Sequence, residues 1–192
     1  MQIIGDRIII RPIEKEDLLT ILTWWNDPEL MYYACDDPNP HKTLQELEED
    51  FVKEKNEWSE SMERFVVEIK EGKLIGDIMY HWYRFNVRSV YMGIFIGDKE
   101  YIGKGYGTEA IKLFLKYLFI DKKLHKVAIT VSDFNKRAIR AYEKCGFQKD
   151  GILRSNAIIN GEFVDHIVMS ILENEYINLS FAYFAHNIIN SV

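Results

Sequence analysis

Residues 101–107 read Tyr101-Ile102-Gly103-Lys104-Gly105-Tyr106-Gly107, three glycines at alternate positions between two apolar segments of different period. Before them, Ser89 to Ile96 is β-branched and aromatic, which reads as a strand. After them, Ala110, Ile111, Phe114, Leu115 and Leu118 recur at the spacing of one helix face. Glycines in such a loop let successive backbone N–H groups turn toward one point, and the helix N-terminus adds about half a positive charge there. A phosphate group is the natural guest of that arrangement. The spacing is G-x-G-x-G, without the extra residue of a dinucleotide fold and without the Gly-Lys-Ser/Thr ending of a P-loop.

Beyond this helix, Val127 to Val131 is a strand, Asn135 caps a helix that runs to Lys144, and Gly146 stops it. Phe147 to Leu153 returns as a strand, and Phe163 to Leu172 forms a last one after an Asn160-Gly161 turn. Toward the N-terminus, Ile3 to Ile10 reads as one strand closed by Pro12. Leu18, Ile21 or Leu22, and Trp25 mark a first helix ended at Asn26-Asp27-Pro28, and residues 36–42 read as a loop. Thr43 and Glu46 have capping-box spacing ahead of a second helix with Leu44, Leu47, Phe51, Lys55 and Trp58 on one face. Arg64 to Ile69, Leu74 to Tyr83 and Ser89 to Ile96 then predict an antiparallel meander. This order predicts a single α/β (α+β) domain, with a mixed, mostly antiparallel central sheet flanked by helices, and not a doubly wound fold.

At 192 residues the chain has room for one domain, and 47 % hydrophobic residues supply a sizeable core. Thirty acidic against 24 basic residues leave a net charge of −6, which argues against nucleic acid as a partner and toward a cationic or amine one. Cys35 and Cys145 lie far apart with no metal-ligand spacing around them, so no metal site is expected and a reducing, cytoplasmic setting is. Asp6 and Arg7 interrupt the only stretch that resembles a signal-peptide core, and Lys112 and Lys116 break IKLFLKYLF, so no membrane partner is expected.

The second informative segment is Asn135-Lys136-Arg137-Ala138-Ile139-Arg140-Ala141-Tyr142-Glu143-Lys144-Cys145-Gly146-Phe147. With the glycine loop, it resembles the Gcn5-related N-acetyltransferase (GNAT) superfamily, which reads Arg/Gln-x-x-Gly-x-Gly and then Asn-x-x-Ala-x-x-x-Tyr-x-x-x-Gly-Phe. Asn135, Ala138, Tyr142, Gly146 and Phe147 match; Ile102 stands where the family usually has Arg or Gln. Ile8-Ile9-Ile10-Arg11-Pro12 with Glu16-Asp17, and Gly151 to Arg154, Asn160-Gly161, Asp165 and Met169 to Leu172, look like the branch containing ribosomal-protein N-terminal acetyltransferases and spermidine acetyltransferase. The resemblance covers residues 3–176, which makes 1–176 the expected domain and 177–192 an apolar tail that packs on it or on a dimer partner.

The resemblance implies transfer of acetyl from acetyl-CoA, the cosubstrate, to a primary amine. It implies that amides from Ile102 through Gly103, Lys104, Gly105, Tyr106 and Gly107 to Thr108 hold the pyrophosphate, with Lys104 adding charge. Tyr142 would protonate the departing thiolate, Asn135 and Ala138 would border the pantetheine, and a backbone N–H near Ile94, Phe95 or Ile96 would meet the oxyanion. The amine must also lose a proton. Related enzymes often carry a glutamate where this sequence has Tyr91, so Asp77, His81, Glu68 or a water relay are the remaining candidates. Asp36-Asp37-Pro38 with Glu46, Glu48, Glu49 and Asp50 suits a polyamine or is a solvated helix face. Trp24, Trp25, Tyr32, Tyr33, Trp82 and Tyr83 line an acceptor pocket or belong to the core. A non-catalytic acyl-CoA-binding sensor or structural subunit is the rival reading.

Overall fold

The computed structural model describes residues 2–34, 41–57, 60–179 and 181. The N-terminal isoleucine run, expected as one strand, is two: β1 (Ile3–Ile4) folds back on β2 (Ile8–Pro12). Gly5-Asp6-Arg7 makes the turn, closed by the Gly5 N–H donating to the Ile8 carbonyl at 2.9 Å. α1 (Leu18–Trp25) follows, then α2 (Pro28–Ala34), which the apolar periodicity did not reveal. Its start is chemical: Asp27 Oδ1 accepts from the Glu29 and Leu30 amides at 3.0 and 3.2 Å, and Pro28 occupies the first helical position, where no N–H is needed. α3 (Leu44–Asn56) begins at the expected capping box: the Glu46 N–H donates to Thr43 Oγ1 at 3.2 Å, and the Thr43 N–H to Glu46 Oε2 at 2.8 Å.

The meander is β3 (Met62–Ile69), β4 (Leu74–Arg84) and β5 (Ser89–Ile96), all antiparallel. α4 (Tyr106–Lys116) follows the glycine loop and widens into a π-helical turn at Tyr117–Asp121. Then come β6 (Lys126–Ser132), α5 (Lys136–Lys144), β7 (Gln148–Ile159) and β8 (Glu162–Leu172). The sheet runs β1-β2-β3-β4-β5-β6-β8-β7, and β5–β6 is its parallel pair. This is the mixed α/β, mostly antiparallel architecture that the element order predicts.

Alternation along the strands sorts apolar side chains onto two faces. Phe65, Val67, Ile78, Val90, Met92, Val127 and Ile129 pack under Ala110, Ile111, Phe114, Leu115 and Leu118 of the α4 segment. Val66 faces the other way, into a cluster with Leu18, Ile21, Trp24, Leu30, Met31, Leu47 and Phe51, where Phe95 and Ile102 also pack. Gly97 is needed here: a Cβ on it would stand 2.0 Å from the Trp24 ring. After β8, residues 173–179 are helical, and the Tyr176 ring stacks on Phe119 with centroids 4.9 Å apart. Among the described residues no helix is long and apolar enough to cross a membrane.

Candidate active site

β5 and β6 begin as a parallel pair and then part. Ser89, Val90 and Tyr91 pair with Lys126, Val127 and Ala128, and no pairing with β6 continues through Met92–Ile96 among the described residues. A cleft of about 320 Å³ opens beside the part of β5 that β6 leaves unpaired. Ile94, Phe95 and Ile96 line it from β5, Gly103, Gly105, Gly107 and Thr108 from the loop and α4, and Asn135, Ala138 and Tyr142 from α5. Segments far apart in sequence thus meet at one opening.

The loop has the conformation that its glycines permit: φ is +76° at Gly103 and +87° at Gly105, the residue that caps α4. Among the described residues the amides of 103–108 donate no backbone hydrogen bond, which leaves a row of donors at a helix N-terminus. Ile102 also lines the cleft, but its N–H donates to the Lys99 carbonyl at 3.3 Å, so its amide is not one of these donors, and its side chain packs against the α1–α3 cluster. Lys104 and Tyr106 do not line the cleft; Lys104 is exposed, and Tyr106 packs edge-on against Tyr101. Cations that sequence reading missed come from α5. Arg137, Arg140 and Lys144 line the cleft, and among the described residues no salt bridge occupies them. Their spacing places them along one helical edge, the signal that could have identified them. An acidic chain therefore carries a locally cationic cleft suited to phosphates.

Tyr142 is buried, and burial, with the neighbouring Cys145 adding to it, pushes its hydroxyl up to about 12, so it stays protonated. Its ring packs against Phe147 at 5.6 Å. Cys145 is a buried free thiol, pushed up to about 11 by burial, with its Sγ 3.6 Å from the Thr108 carbonyl oxygen. Asn135 fixes the mouth: its Oδ1 accepts from the Ala138 N–H at 3.1 Å, and its Nδ2 donates to the Tyr33 carbonyl at 3.1 Å, tying α5 to α2.

The structure separates the candidate proton acceptors. Asp77 is buried and engaged by Arg64, whose Nη2 lies 2.5 Å from Oδ2, while Arg64 Nη1 lies 3.4 Å from Glu54. Burial raises the Glu54 carboxyl above its usual range despite Arg64. Glu68 is held by Arg11 at 2.9 Å. His81 stacks on Tyr91, opposite it in the sheet, with centroids 5.7 Å apart; it remains exposed, and desolvation of its packed face lowers it below the ordinary value of 6.5.

A second cleft, of about 470 Å³, lies between α2 and the β7–β8 turn. Tyr32, Phe134 and Phe163 supply its rings, and Asp133, Glu162 and Asp165 its carboxylates. Tyr32, Tyr33 and Phe134 pack at 4.9–6.0 Å as a shared aromatic wall, with Tyr33 on the first cleft and Tyr32 and Phe134 on the second. Trp24 is core, and Trp82 stacks on Phe85. Asp36, Asp37 and Trp58 lie outside the described residues; Glu46 is a cap, Glu48 and Asp50 pair with Lys15 and Lys42, and Glu49 accepts from Gln45.

Comparison with known proteins agrees with this geometry. The family model described as "Acetyltransferase (GNAT) domain" matches residues 7–148. The chain is 33% identical over 176 residues to a spermidine N(1)-acetyltransferase of Vibrio cholerae, covering 92% of this chain and 99% of that protein. It is 33% identical over 168 residues to the spermidine N(1)-acetyltransferase of Escherichia coli K12, covering 88% and 87% respectively. The crystal structure of the Vibrio cholerae spermidine N-acetyltransferase in complex with CoA and spermine superposes with a TM-score of 0.83 at 32% identity, over 90% of this chain and 99% of that one. With its glycine loop, its diverging strands and Tyr142 meeting in one cleft, the chain belongs to the GNAT acetyltransferases.

Proposed function

We propose that the acceptor of this acetyl-CoA-dependent N-acetyltransferase is a polyamine of the spermidine type. The observation that carries the reading is the acid- and ring-lined second cleft beside the first, in a chain related over nearly its whole length to spermidine acetyltransferases. Carboxylates and aromatic faces both favour an alkylammonium chain.

In the proposed reaction the free amine attacks the thioester carbon, a C–N bond forms as the C–S bond breaks, and the oxyanion is met by backbone N–H groups near Ile94 and Phe95. The amides of Gly103, Gly105, Gly107 and Thr108, the loop residues that line the cleft, hold the pyrophosphate, with Arg137, Arg140 and Lys144 supplying countercharge. Tyr142 gives its proton to the departing sulfur. His81 lines neither cleft, so it takes the proton from the amine through a water relay; its imidazole, lowered by desolvation, is free to accept whereas Asp77 and Glu68 are held by arginines. Tyr91 acts as the stacking partner of His81 rather than as a proton acceptor. The sensor alternative drew on Ile102 and Tyr91; the loop's free amides do not depend on the side chain at 102.

The test is thiol release from acetyl-CoA by the purified chain, offered spermidine, an aminoglycoside or a short peptide with a free N-terminus. Release with spermidine is expected. Release with the peptide alone would overturn the polyamine assignment, and no release with any amine would revive the sensor.

We place the enzyme in the cytoplasm, where its thiols stay reduced, as a homodimer with 1–176 as the catalytic domain. Exposed Phe163, Ile158 and Ile152 on the β7–β8 edge supply apolar surface for a second copy. The tail belongs to the same packing. Of the tail, residues 180 and 182–192 lie outside the described residues; a Cβ on Gly146 would stand 2.3 Å from Leu179 Cδ1, so Leu179 lies closely against the α5 stop. Deleting 178–192 is expected to lower Tm by a few degrees, about 1 kcal/mol for loss of the Leu179 cover. Unchanged Tm and unchanged mass in solution would count against this role.

A further inference from the structure

The turn between β1 and β2 reaches the back of the glycine loop. The Arg7 side chain donates from Nε to Glu109 Oε2 at 2.7 Å and from Nη1 to the Lys104 carbonyl at 3.2 Å, and its backbone N–H donates to Glu109 Oε1 at 2.8 Å. The guanidinium lies 4.3 Å from the centre of the Tyr106 ring. A Cβ on Gly105 would stand 3.4 Å from Arg7 Nη2, and one on Gly5 would stand 2.4 Å from Leu113 Cδ1, so the turn lies flat on α4. Arg7 is not among the residues lining the cleft and acts on the loop from behind.

Two consequences follow from these contacts. In a trans peptide the C=O and N–H point in opposite directions. Holding the Lys104 oxygen toward Arg7 therefore turns the Gly105 N–H away from Arg7, toward the cleft that Gly105 lines. Glu109, in the first turn of α4, also places a negative charge beside the helix end that a pyrophosphate must approach. The Arg7 guanidinium neutralises it.

We propose that Arg7 is a positioning residue for the pyrophosphate of acetyl-CoA, fixing the loop amides toward the cleft and cancelling the charge of Glu109. The proposal rests on acetyl-CoA as cosubstrate. Its test compares the wild-type chain with Arg7→Met, Arg7→Lys, Glu109→Gln and the Arg7→Met/Glu109→Gln double variant. The readouts are CoA dissociation constants by calorimetry and turnover of S-acetylpantetheine, which lacks the pyrophosphate, with the amine that supports release.

Arg7→Met is expected to weaken CoA about 10-fold and to leave S-acetylpantetheine turnover unchanged. Arg7→Lys should keep part of the affinity, and the double variant should recover part of the loss. CoA affinity unchanged by Arg7→Met, an equal loss with S-acetylpantetheine, or no recovery in the double variant would each overturn the proposal. A wild-type chain that does not bind CoA would overturn the cosubstrate reading itself, a result distinct from a defect confined to the variants.

Discussion

Tyr142→Phe is expected to lower kcat about 100-fold while leaving the dissociation constant of CoA within a factor of about 2, because only a proton donor is removed. The ring still packs on Phe147, so stability should hardly change. A coenzyme thiolate in water, with a pKa near about 8.5, is a weaker base than a tyrosinate, which would make the transfer uphill. Proton transfer that accompanies C–S cleavage avoids a free thiolate, and burial, which pushes the Tyr142 hydroxyl up to about 12, keeps the donor protonated until that moment. Thiol release measured under saturating acetyl-CoA checks this, and undiminished turnover would remove Tyr142 from the role.

Arg64→Met is expected to cost about 3–5 kcal/mol of folding stability, the usual result of removing one partner from a buried charge cluster. Asp77 and Glu54 would be left in the sheet–α3 interface without their shared cation, although Met fills much of the volume. The Arg64, Asp77 and Glu54 side chains are only 10–13% exposed, so water cannot substitute for the guanidinium. The pH dependence has a definite sign. Glu54 already has a raised folded-state pKa, and losing Arg64 raises it further. For a carboxyl raised in the folded state, stability is fully present below its ordinary value of 4.5 and is lost as pH rises through the folded value. The defect should therefore be largest at neutral pH and shrink on acidification. Urea unfolding at pH 7 and pH 5 measures both effects; a loss below about 1 kcal/mol would mean that the cluster is not a buried charge site.

Features set by neighbouring residues were legible in the sequence. Thr43 with Glu46, and Asn135 with Ala138, are contacts within one turn, and the structure contains both. The glycine loop was legible because φ near +80° leaves few other residue choices. α2 was missed because its start is a cap and a proline rather than an apolar stripe. The division of β1 from β2 was missed because Gly5-Asp6-Arg7 lies within an isoleucine run that reads as one strand. The charge partners were beyond reach for another reason. Whether Asp77 is free depends on Arg64 across a strand pair, and Arg7 meets Glu109 from 102 residues away. Spacing along the chain carries no record of such pairings.

The separation of β5 from β6 also bears on how long the molecule survives. A sheet whose pairing stops partway between β5 and β6 lacks part of its own adhesion, and a ligand bound beside the unpaired end of β5 replaces some of it. Binding to the native state alone stabilises by about 2.7 kcal/mol when the ligand stands at 100 times its dissociation constant. The supply of acetylated and free coenzyme would then set the fraction of chains that unfold, and with it their exposure to proteolysis. Where Met92–Ile96 run without β6, bound CoA is therefore expected to slow proteolysis of the chain, so that its lifetime would follow the same coenzyme that sets its rate.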